Sequence, residues 1–104
     1  MANEGSQSLI NSSKFLASEN FILRKVAGTY ALISVGANIA NFNGFVQLNE
    51  TAAFLWKQLA SPRSVEDLTA ALLEEFDVSK EEAEKDVTEF LEQLIRENMV
   101  SSDG

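Results

Sequence analysis

Carboxylates are the most numerous reactive groups in this chain: sixteen Asp and Glu stand against eight Lys and Arg, with no histidine and no cysteine. Two carboxylates can share acid and base roles only when their side chains converge. The adjacent pairs Glu74-Glu75 and Glu81-Glu82 lie in helix-like sequence, where neighbours diverge around the axis. They read as solvated helix faces. The absence of histidine removes the usual proton shuttle at neutral pH and any Ser-His-Asp arrangement. The absence of cysteine removes thiolate chemistry, disulfides and cysteine zinc sites. No spacing matches a calcium loop or a Gly-rich phosphate loop, and no serine has a base beside it. The chain therefore reads as a non-enzyme without metal or cofactor.

Charge is unevenly placed. Residues 1–63 hold three acids and five bases, whereas 64–104 hold thirteen acids and three bases. The second half should repel polyanions and favour cationic partners. No apolar run is long enough for a membrane span. The N-terminal "MANEGSQSLINSSKFLASEN" lacks a basic start followed by an apolar core, so it is not a signal peptide, and a cytoplasmic protein is expected. The sequons at Asn11 and Asn49 then read as chance matches.

These groups must be positioned by a single domain of 104 residues. Residues 1–20 are polar and without period, and a flexible arm is expected there. The β-branched and aromatic run "FILRKVAGTYALISV" is broken at Ala27-Gly28. It predicts strands at 21–26 and 29–35 joined as a hairpin, with Gly28 supplying positive φ. Gly36-Ala37-Asn38 breaks the second strand, and an extended stretch is expected at 39–42. Asn43-Gly44 signals a turn into a short strand, Phe45–Leu48.

Asn49 is placed to cap a first helix with the stripe Ala52, Leu55, Trp56, Leu59, ended by Ser61-Pro62. Ser64 with Asp67, and Ser79 with Glu82, predict capping boxes for two more helices, the second box being the better. Val65, Leu68, Leu72 and Phe76 form one buried face. Ala83, Val87, Phe90, Leu91, Leu94 and Ile95 form the other. The last helix should fray near Asn98, with Met99-Val100 tucked back and a four-residue tail. The expected fold is α+β: a small three-stranded antiparallel sheet packed on three helices, winged helix-turn-helix-like.

That architecture suggests nucleic-acid binding, but the last helix carries seven acids against Lys80, Lys85 and Arg96. A phosphate lattice requires the opposite sign. Trp56 fits the core better than a stacking platform. Arg24 and Lys25 fit a solvated strand edge. A binding module working by strand addition remains: a sheet edge presents unpaired N–H and C=O groups that an extended peptide can satisfy.

"LNETAAFLW" followed by "SVEDLTAALLEEFDVSKEEAEKDVTEFLEQLIRENMV" closely resembles the PqqD-like family, relatives of pyrroloquinoline quinone synthesis protein D and also called RiPP precursor peptide recognition elements. The resemblance spans about residues 21–100. It implies a domain that binds the leader of a ribosomally synthesised precursor peptide as an added strand. The domain would present that peptide to a modifying enzyme such as a radical SAM maturase. Carried onto this sequence, the pairing strand is Phe45, Val46, Gln47 and Leu48. The helical wall comes from Asp86, Phe90, Gln93, Leu94 and Glu97, residues taken from both faces that could border the sheet. Phe90 and Leu94 also fit the core stripe. A proline at Val46 should remove a donor from the pairing edge, provided its N–H faces outward. Two other readings stay open: a winged-helix transcription regulator, and an oligomerisation subunit forming a homodimer.

Overall fold

The computed structural model describes residues 13–35 and 45–103, the side chains of Phe45 and Asp103 excepted. The stretch expected at 39–42, the Asn43-Gly44 turn and the arm up to residue 12 lie outside the described residues.

The expected hairpin is formed by β2 (Phe21–Val26) and β3 (Thr29–Ser34), paired antiparallel from Phe21↔Ser34 to Val26↔Thr29. Its two-residue turn has φ 53° at Ala27 and 80° at Gly28. Two positive angles mark the type I′ turn that matches strand twist. Gly28 adopts this freely, whereas Ala27 pays about 1–2 kcal/mol for its Cβ. β4 (Phe45–Leu48) pairs with the other side of β3. The order β2-β3-β4 therefore leaves β4 at an edge among the described residues.

Three helices cover one face of this sheet. α1 (Glu50–Gln58) starts at Asn49, whose side chain accepts the Ala52 N–H at 2.8 Å. α2 (Val65–Glu75) opens with a full capping box, in which Ser64 Oγ accepts the Asp67 N–H and Asp67 accepts the Ser64 N–H. α3 (Lys80–Arg96) opens on Ser79, whose hydroxyl accepts the Glu82 N–H. The reciprocal bond is present only at Ser64, so the ranking of the two boxes is the reverse of that expected. Asp67 is one methylene shorter than glutamate and still reaches back.

The core joins Leu32 and Leu48 of the sheet to Leu55, Leu59, Leu68, Leu72, Val87, Leu91 and Leu94 of the helices and their links. Phe54 and Phe76 meet edge to face, with centroids 5.4 Å apart, and brace α1 against the end of α2. Ile95, expected in the buried stripe, is 41% exposed. It lies one residue past Leu94, about 100° further around the helix. The end of α3 does not fray. Asn98 takes φ 59°, its N–H bonds Ile95 O and the Met99 N–H bonds Leu94 O at 2.8 Å. This pair of bonds is a Schellman closure, which turns Met99 into the core as expected.

A second antiparallel sheet departs from expectation. β1 (Lys14–Ala17) lies between β5 (Arg63–Ser64) and β6 (Val100–Asp103). Residues 14–17 are thus strand rather than flexible arm, and residues 101–103 of the expected tail continue from Val100 as strand. Phe15 holds β1 down, being only 2% exposed within the core. Backbone bonds from Ala17 to Leu59 O and from Ser18 to Met99 O, both 2.9 Å, fix its exit.

Candidate functional site

The edge of β4 can be read group by group from the sheet register. In antiparallel pairs, residues alternate between exchanging hydrogen bonds and merely facing each other. The two-residue turn makes Val26↔Thr29 a bonded pair. The Val35 N–H bond to Asn20 O at 2.8 Å continues the same parity beyond Phe21↔Ser34. Odd-numbered residues of β3 therefore bond β2, and Tyr30 and Leu32 bond β4. Their partners are Leu48 and Val46. It follows that the N–H and C=O groups of Val46 and Leu48 point into the sheet. Those of Phe45 and Gln47 point out from the edge.

This corrects the proline expectation at Val46, whose N–H is already engaged with β3. The residue with the outward donor and an exposed side chain is Gln47. Sequence alternation separates side-chain faces but not backbone directions, so only the register could find this. Side chains follow the opposite rule to backbone. Val46 and Leu48 share the helix-facing side of the sheet with Leu32 and pack on the core, while Gln47 lies on the outer side with Ala31.

Beside the end of β4, a groove of about 230 Å³ runs between the first turn of α1 and the middle of α3. Its walls are Asn49, Thr51, Ala52 and Leu55 on one side and Asp86, Glu89, Phe90 and Gln93 on the other. The helical spacing 86, 89, 90, 93 places these α3 residues on one stripe. Three residues expected on the wall, Asp86, Phe90 and Gln93, are thus brought together. Leu94 is 1% exposed and belongs to the core, and Glu97 is exposed at the C-cap of α3 beyond the groove. Glu89 and the α1 residues were not anticipated. In the sequence Asn49 signals a helix cap, and nothing local shows that α1 faces α3.

The outer face of the sheet has a second hollow of about 290 Å³ lined by Val26, Thr29, Ala31, Ile33 and Gln47. On its other face Tyr30 is flanked by Lys25 and Lys57, with ammonium groups 5.3 and 5.6 Å from the ring centre. Among the described residues no group of three Asp or Glu could hold a metal ion, and no helix is long and apolar enough to cross a membrane.

A small sheet whose edge strand is unpaired on one side among the described residues, set on a helix-turn-helix trio whose last helix is acidic, defines a class of winged-helix-like domain whose last helix lacks the charge for a DNA groove. The chain belongs to the PqqD family: the family model described as coenzyme PQQ synthesis protein D matches residues 27–100. That match starts after β2, so β1 and β2 stand outside it. Two solved structures share the fold. TbiB1 in complex with the TbiA(beta) leader peptide is 16% identical, with a TM-score of 0.64, over 83% of this chain and 94% of that one. Lasso peptide synthetase B1 complexed with the leader peptide is 22% identical, with a TM-score of 0.65, over 84% and 96%. No curated protein sequence matches the chain.

Proposed function

We propose that this protein binds the leader segment of a ribosomally synthesised precursor peptide as an added strand on β4 and presents it to a modifying enzyme. The observation that carries the reading is the outward backbone of Phe45 and Gln47 at a sheet edge beside a groove. An extended peptide would satisfy these groups, each bond contributing about 0.5–1.5 kcal/mol net. Its alternate side chains would enter the groove against Phe90. Membership of the PqqD family supports the reading, as do two fold neighbours each complexed with a leader peptide.

The protein's role is then to hold and deliver, without catalysis of its own, in the cytoplasm where such precursors are made. The modifying enzyme is a maturase such as a radical SAM enzyme. Titrating isotope-labelled protein with the leader of the short peptide encoded beside its gene tests this. Amide signals of Phe45–Leu48 and of the α3 stripe should shift saturably. Unmoved β4 signals with every such neighbouring peptide would contradict it.

A further inference from the structure

A strand added beyond β4 sends alternate side chains to two different places. One set shares the outer face with Gln47, and the other turns to the helix side and meets the groove between α1 and α3. The groove's chemistry is specific. Its floor includes Leu55 and the largely buried Phe90, and its rim carries the carboxylates Asp86 and Glu89. No Lys or Arg lines it among the described residues, and neither carboxylate has an ion-pair or hydrogen-bond partner there. Asp86 is half-buried beside Phe90 in the groove wall. Lys85 lies outside the groove, in a shallow neighbouring hollow with Glu81, Glu84 and Glu89, so Glu89 borders both hollows and forms no ion pair with Lys85. The N-terminus of α1 contributes a partial positive charge, but it is capped by Asn49 and followed by the further acid Glu50.

Resting on the leader-binding reading above, we propose that this groove selects a Lys or Arg in the leader, at one of the alternate positions facing α3. The aliphatic stem would lie on Phe90 and Leu55, as such stems do on apolar surface. The cationic head would reach Asp86 and Glu89. A side chain of this kind matches both the floor and the rim, which a purely apolar or acidic one does not.

A displayed library of random twelve-residue peptides, selected against the full chain in physiological salt, tests the subsite. Lys or Arg should be enriched at one fixed position of the aligned peptides. The enrichment should vanish with Asp86→Asn/Glu89→Gln and persist with Glu81→Gln/Glu84→Gln, which removes equal charge away from the groove. A selected peptide should bind the first double variant about tenfold more weakly, between the effects of exposed and buried pairs. Basic enrichment without a fixed position, or lost equally in both double variants, would overturn the subsite and reduce it to net-charge attraction. Peptides without basic preference that still lose binding to Gln47→Pro would overturn the subsite while leaving strand addition intact. Selected peptides binding Gln47→Pro as tightly as the parent chain would overturn the strand-addition reading itself.

Discussion

Val46 and Gln47 are adjacent and both extended, yet one turns its N–H into the sheet and the other outward. Proline substitution should separate them. Gln47→Pro, at an edge position where proline is tolerated, should change stability by less than about 1 kcal/mol and weaken leader binding at least tenfold. Val46→Pro should destabilise the fold by about 1–3 kcal/mol by leaving a β3 carbonyl unpaired. Urea melts and a fluorescence titration check both, and equal behaviour of the two variants would contradict the register.

Asp67 offers a pH test. The Ser64 backbone N–H and then its hydroxyl hold the Asp67 carboxyl below the usual range. A depressed folded pKa contributes stability that is present above the ordinary carboxylate value near 4 and is lost as pH falls through the folded value. The stability gap between the parent and Asp67→Asn should therefore shrink between about pH 5 and pH 2. A gap independent of pH would contradict the assignment. Such caps, and the Ala27-Gly28 turn, were legible in the sequence because they are local. The outward donor of Gln47 was not, because it depends on bonds up to 27 residues back, at Asn20.

At the scale of elements, the hairpin, β4 and three helices were legible from their periods, and the second sheet was not. β1 and β6 are each four residues long and bond across most of the chain, so no local period announces them. Phe15 carries β1 into the core. Phe15→Ala should cost about 3–5 kcal/mol in a urea melt. A loss under about 1 kcal/mol would mean that β1 does not contribute to the fold. Along α3, the sequence could not divide core from groove, because Phe90 serves both and Leu94 lies a single turn beyond it. The groove wall is defined only when α1 is set opposite.

At the scale of the molecule, the net charge of −8 and the acidic α3 govern what can approach. A fluorescent DNA duplex should show no saturable binding even at low salt, where phosphate attraction is strongest. A steep salt-dependent affinity would instead support a transcription regulator.

The central claim is that the backbone of β4 is itself the binding group. Amide hydrogen exchange with and without the leader tests it most directly. The account predicts that Val46 and Leu48 are protected in the free protein, bonded to β3, and that Phe45 and Gln47 become protected only when leader is added. Leader binding that leaves the Gln47 amide exchanging as fast as before would contradict strand addition.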